Sequence, residues 1–206
     1  MYMMRKIDNF LNEWKEDPYR KPLIVKGPRQ VGKTESIRKF ASENYESIIE
    51  INFVEEPKYE MIISDGYKTD YTMHSMDFEE FLWAKGYDNS FIDNLLEHMK
   101  KIKAFNELEL NLGHSLFLDY CILGGMPAVV REYIAKNTFE GSLETQRQLI
   151  EDYKEDIRKY AVGLDQTRIM NVFNHIAPQL AKKNKKFQIS KVASGARFKD
   201  YRSCIE

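Results

Sequence analysis

The chain is 206 residues long, 43% hydrophobic, 31% charged and 13% aromatic, with a formal net charge of −1. This is a globular composition, rich enough in Phe and Tyr to bury a core, and it excludes a disordered, fibrous or linker-rich polypeptide. The longest mainly apolar stretch, 116–130, contains Asp119 and is too short to span a bilayer, and Cys121 and Cys204 lie too far apart to suggest a disulfide framework or a zinc site.

Ile7, Phe10, Leu11 and Trp14 at helical spacing predict an amphipathic helix over 5–16, ended by Pro18. The apolar run 22–26, closed by Gly27, predicts a buried strand. A helix is expected over about 32–44, with Ile37, Phe40 and Ala41 inward, and a second strand over 48–53. Strand, loop, helix and strand make a βαβ unit, expected to be parallel. Residues 54–75 hold one short apolar run, Met61-Ile62-Ile63. From Asp77 the pattern is helical, over 77–85, 88–105, about 112–123, 127–136, 142–160 and 165–181, punctuated by Gly86, Gly124-Gly125, Gly141 and Gly163. Phe78, Phe81 and Leu82 form a core-facing stripe. Gly124-Gly125-Met126-Pro127 reads as a helix stop and restart, with Pro127 in the first turn of the next helix. The fold class is α/β then mostly α: a minimal P-loop βαβ layer followed by a helical region.

Gly27-Pro28-Arg29-Gln30-Val31-Gly32-Lys33-Thr34 matches G-x-x-x-x-G-K-[ST] and falls between a predicted strand and a predicted helix. Such a loop wraps a phosphate chain with backbone N–H groups, so it needs glycine where φ is unusual or the backbone approaches closely. The following helix aims its N-terminal N–H groups at the same phosphates. Lys33 is expected to reach the β- and γ-phosphates, and the Thr34 hydroxyl to ligate Mg²⁺. ATP and Mg²⁺ are the cofactors this predicts.

Charge is unevenly distributed. Residues 182–202 hold eight Lys or Arg against the single acid Asp200, a local charge of +7 on an otherwise acidic chain. Lys182, Lys183, Lys185 and Lys186 are the candidate contacts to nucleic acid, although no aromatic stacking pattern accompanies them. His74, His98, His114 and His175 show no metal-ligand spacing. Asp156, Arg158 and Arg168 are candidates for a subunit contact, with Arg168 as a trans-acting finger.

The sequence resembles the bacterial and archaeal AAA-superfamily P-loop ATPases that carry a C-terminal domain of unknown function. The matching stretches are Lys21 through Thr34, Ile51-Asn52-Phe53, and Met76-Asp77-Phe78-Glu79-Glu80-Phe81-Leu82. They continue in Gly124-Gly125-Met126-Pro127-Ala128-Val129-Val130, Asp152-Tyr153 through Lys159-Tyr160, Lys185-Lys186-Phe187, and Gly195 through Tyr201. The resemblance implies an ATPase core, a helical region behind it, and a C-terminal part like a winged-helix DNA-binding unit. It also implies a chain internally shortened and C-terminally truncated relative to its relatives. Between Ile-Asn-Phe and Met-Asp-Phe-Glu-Glu-Phe the relatives carry the Walker B strand, its Asp-Glu and a sensor strand, where this chain has only residues 54–75.

Hydrolysis needs an acid to hold Mg²⁺ and a polar group to orient water. The substitutes in this sequence are Asp119, after Leu116-Phe117-Leu118; Asp65, after Ile62-Ile63-Ser64; and Glu55. The neighbours of Asp119 fit a helix better than a strand. The expected organisation is a nucleotide-binding part over 1–70, a helical region over 71–181, and the basic start of a further domain over 182–206. The expected function is ATP binding in the cytoplasm, with no membrane contact. The alternative is a non-enzymatic helical interaction module, or a nucleic-acid-binding fragment, with a vestigial phosphate loop.

Overall fold

The computed structural model describes residues 2–56, 58, 68–161 and 163–204. They fall into two compact units, Met1–Thr145 and Gln146–Glu206. The first unit opens with helix α1 (Lys6–Glu16), whose start is fixed by Arg5 N–H donating to Asp8 Oδ2 at 2.9 Å. Strand β1 (Leu23–Lys26) leads through the glycine loop into α2 (Lys33–Asn44). Strand β2 (Thr69–Thr72) returns parallel to β1, with Leu23 opposite Thr69 and Lys26 opposite Thr72. Thr69 N–H donates to the Pro22 carbonyl and Met73 N–H to the Lys26 carbonyl, each at 2.9 Å, extending the ladder at both ends.

Ile7 and Leu11 of α1, Val31 of the loop, Phe40 of α2 and Met73 after β2 form one buried cluster. Leu23 and Val25, two residues apart on the same face of β1, pack against it with Trp14 and Tyr71. The apolar residues of the first predicted helix thus do what their spacing requires.

Three expectations are corrected. The second strand lies at Thr69–Thr72, not 48–53. Ile49 is 88% exposed, and the run turns at once: the Asn52 carbonyl accepts from Glu55 and Glu56 N–H, and its side chain accepts from Val54 N–H at 3.1 Å. β-branched residues favour a strand only where a partner completes the ladder, and Thr69–Thr72 is the strand on β1. The second correction is that Ile37 points outward. Ser36 takes the buried position, four residues before buried Phe40 on the same face, and its hydroxyl accepts from Tyr2 Oη at 3.0 Å. The third is that the helix expected from about 112 begins at Glu107, because Asn106 and Glu109 form a capping box, each side chain bonded to the other's N–H at 2.9 Å. Met61-Ile62-Ile63 and Asp65 lie outside the described residues.

The rest of the first unit is helical: α3 (Phe78–Ala84), α4 (Asn89–Lys101), α5 (Glu107–Leu123) and α6 (Pro127–Lys136). α3 packs on α5 and α6. Phe81 and Leu82 are fully buried, and the Phe78 ring lies 5.3 Å from Phe117 and 5.6 Å from Tyr120. Asp77 caps α3, accepting from Glu80 N–H at 2.9 Å. Pro127 opens α6 as its first residue, as expected.

α7 (Ser142–Tyr160) runs from the first unit into the second, which continues with α8 (Leu164–Leu180) and the single turn α9 (Phe198–Tyr201). Short 3₁₀ turns occupy Ile189–Lys191 and Arg202–Cys204. The Tyr153 and Phe173 rings of α7 and α8 are 6.3 Å apart. Buried Gln179 clamps the backbone of Gln188, donating to its carbonyl at 3.2 Å and accepting from its N–H at 2.7 Å. No helix among the described residues is long and apolar enough to cross a membrane.

Candidate phosphate-binding site

The glycine loop connects the carboxyl end of β1 to the first residue of α2. Its path needs three residues at positive φ: Gly27 at +137°, Gln30 at +63° and Gly32 at +94°. At Gly27 a side chain has no room, since a Cβ would stand 2.0 Å from the Met73 carbonyl oxygen. The two glycines of the motif therefore serve different needs, a close approach beside β2 and a left-handed N-cap for α2.

Lys33, the first residue of α2, folds back over the loop. Its ammonium donates to the Gly27 carbonyl at 2.8 Å and to the Pro28 carbonyl. Val31, between the glycines, is buried in the core cluster and anchors the loop from behind. The mouth is an open pocket of about 440 Å³ lined by Gln30, Gly32, Lys33, Thr34, Glu35 and Arg38. Two of its charged lining residues are held in ion pairs. Arg131 of α6 reaches both oxygens of Glu35 at 2.8 and 2.7 Å. Arg38 forms a two-pronged pair with Glu50 at 3.0 and 2.6 Å and holds the Glu50 carboxyl below the usual carboxylate range.

Of the candidate acids, Asp119 has a structural partner. Asp119 sits inside α5 and accepts from Tyr133 Oη at 2.6 Å. Burial, and then this bond, push the Tyr133 hydroxyl up to about 12. Glu55 is exposed in the turn after Asn52. The carboxyl end of β2, beside the loop, continues as Met73-His74-Ser75 and bears no carboxylate. Among the described residues no group of three or more His, Cys, Asp or Glu is placed to hold a metal ion.

Lys182, Lys183, Lys185 and Lys186 are all exposed on the turn after α8. The turn is closed by the Gln179–Gln188 clamp, and within it Asn184 Oδ1 accepts from Lys186 N–H at 3.1 Å. In α7 and α8, Arg168 pairs with Asp165 of its own helix at 3.4 Å.

Arg5 was not legible as part of this neighbourhood. Charged and near the start of the chain, it reads as surface, yet it is 4% exposed and donates to the Val31 carbonyl.

The site is thus a strand, a glycine loop with these dihedrals and a helix opening on Lys-Thr. In agreement, residues 19–69 match the family model of an AAA domain, and residues 114–206 match that of a domain of unknown function (DUF8612). The chain thus carries an AAA-like region followed by a domain of unknown function. No curated protein and no solved structure matches it.

Proposed function

We propose that the chain binds a nucleoside di- or triphosphate, ATP or ADP, on the loop Gly27–Thr34. The observation that carries this reading is the loop itself: Gly27 and Gly32 in positive-φ conformations, and a lysine ammonium folded over the concavity where phosphate oxygens would lie. Lys33 exchanges its two carbonyl partners for phosphate oxygens, and the N-terminal amides of α2 supply further donors. Mg²⁺, when bound with the nucleotide, supplies charge neutralisation between the phosphates. Thr34 is the residue of this chain that offers it a hydroxyl. The nucleotide-binding part is residues 1–70, with the helical region behind it.

Mg·ADP titrated calorimetrically into the whole chain should give heat, and Lys33→Ala should weaken binding by about tenfold or more, the scale of a lost charged hydrogen bond. No heat and no melting shift at millimolar nucleotide would leave the loop vestigial and favour the helical interaction module.

Hydrolysis is a separate matter. With Met73-His74-Ser75 following β2, no carboxylate at that strand end is available to hold Mg²⁺. ATP turnover should stay at or near background. A rate above about 0.1 s⁻¹ that disappears in Lys33→Ala would refute this, ordinary enzymes working at roughly 1–10³ s⁻¹.

A second reading rests on the lysine turn. Four exposed lysines on a clamped turn within the DUF8612 match suit the phosphate backbone of a nucleic acid, without base readout.

A further inference from the structure

We propose that Arg5 is a positioning residue of the phosphate site, holding the loop's amides outward by gripping a loop carbonyl from inside. This rests on the nucleotide-binding reading above and adds to it a residue outside the glycine motif.

The Arg5 guanidinium is almost wholly buried beneath the loop. Nη1 donates to the Val31 carbonyl at 2.7 Å, and Nη2 donates to the His74 carbonyl at 2.8 Å, just beyond β2. Nε lies 3.1 Å from Glu80 Oε1, an ion-pair contact outside hydrogen-bond alignment. Glu80 is itself fixed: Oε1 accepts from Lys6 N–H at 2.7 Å, and Oε2 from Asp77 N–H at 3.2 Å. One guanidinium–carboxylate pair therefore joins the start of α1, the phosphate loop, the end of β2 and the cap of α3.

The consequence for the site follows from the planarity of the peptide bond. In a trans peptide the C=O of one residue and the N–H of the next point in opposite directions. With the Val31 carbonyl turned inward to Arg5, the Gly32 N–H is turned away from the core, toward the mouth of the loop. A free Val31 carbonyl would be buried and unpaired, and the cheapest relief would be to rotate the Val31–Gly32 peptide, which swings that N–H out of the phosphate site. Lysine cannot replace arginine here. Its single ammonium has no planar fork with which to serve two carbonyls and a carboxylate in fixed directions.

The test compares Mg·ADP affinity of the whole chain by calorimetry, at a temperature where every protein is folded by circular dichroism. The variants are Arg5→Lys, the charge-neutral pair Arg5→Met with Glu80→Gln, and Leu123→Ala as a destabilised control from the α5 core. Arg5→Lys should bind Mg·ADP at least about tenfold more weakly, as for a lost charged donor. The neutral pair should lose binding likewise, and Leu123→Ala should stay within about twofold of the parent. Amide exchange at Gly32 and Lys33 should rise in both Arg5 variants without nucleotide. If Arg5→Lys does not fold, the neutral pair, which leaves no buried charge unpaired, carries the comparison. Parental affinity in the Arg5 variants would overturn the proposal, and so would equal weakening in Leu123→Ala, which would make the effect one of stability. Absence of binding by the parent chain would instead overturn the nucleotide reading, and this proposal with it.

Discussion

At Gly125 a single added methyl group should damage the first unit severely. A Cβ built there stands 2.0 Å from the Met76 carbonyl oxygen and 3.0 Å from its carbonyl carbon and nitrogen. These are backbone atoms of a fully buried residue, so neither partner can swing aside. The same contact carries two hydrogen bonds, Met76 N–H to the Gly125 carbonyl at 2.7 Å and Tyr120 Oη to the Met76 carbonyl at 2.9 Å. Separating the segments in Gly125→Ala forfeits both, at about 1 kcal/mol each. Overpacking adds about 1–3 kcal/mol. A loss of roughly 3–5 kcal/mol follows from these two sources. Gly86 is the comparison: its φ is +89° and nothing lies within 4 Å of an added Cβ, so Gly86→Ala should cost only about 1–2 kcal/mol of backbone strain. Both tryptophans, Trp14 and Trp83, belong to the first unit, so urea unfolding followed by tryptophan fluorescence reports on it directly. A cost for Gly125→Ala no greater than for Gly86→Ala would refute the steric reasoning.

Other outcomes follow from features already described. Asn106→Ala should destabilise the first unit by about 1 kcal/mol in the same urea assay, through loss of the α5 cap. The Tyr133 hydroxyl, raised to about 12 from 10.0, keeps its proton in the folded chain above pH 10, where the unfolded chain has released it. Stability from this group is therefore complete below pH 10 and is lost as pH rises toward 12, and Tyr133→Phe should flatten that part of the pH–stability curve. Changing Lys182, Lys183, Lys185 and Lys186 together to Ala should weaken DNA binding to all sequences alike and flatten its salt dependence, measured by fluorescence anisotropy. Tight binding to one sequence at physiological salt would contradict this.

The shape of the glycine loop was legible because its constraints are local: glycines where φ is positive or space is absent, and lysine and threonine at a helix start. The helices were legible from their period and their glycine and proline punctuation. β2 was not, because Thr69-Asp70-Tyr71-Thr72 carries no apolar run; only Tyr71, whose ring lies 4.6 Å from that of Phe10, marks its inner face. The isoleucines at 48, 49 and 51 misled for the converse reason, a strand-like composition without the ladder that would use it. Arg5 escaped notice because its partners are remote in sequence, the His74 carbonyl being 69 residues away. Nothing in a local pattern distinguishes a buried arginine at a helix start from a solvated one.

Lys33 bears on how the loop keeps its shape. An ammonium paired with the Gly27 and Pro28 carbonyls is already solvated by the protein, so under the proposed function phosphate would arrive by an exchange of partners and not by the capture of a bare charge. The gain from Lys33 on such binding would be the difference between phosphate and two carbonyl oxygens, smaller than the full strength of a charged contact. The same side chain ties the end of the loop back to its beginning. Its removal should then be felt twice: as weaker binding, and as a looser loop before any nucleotide arrives.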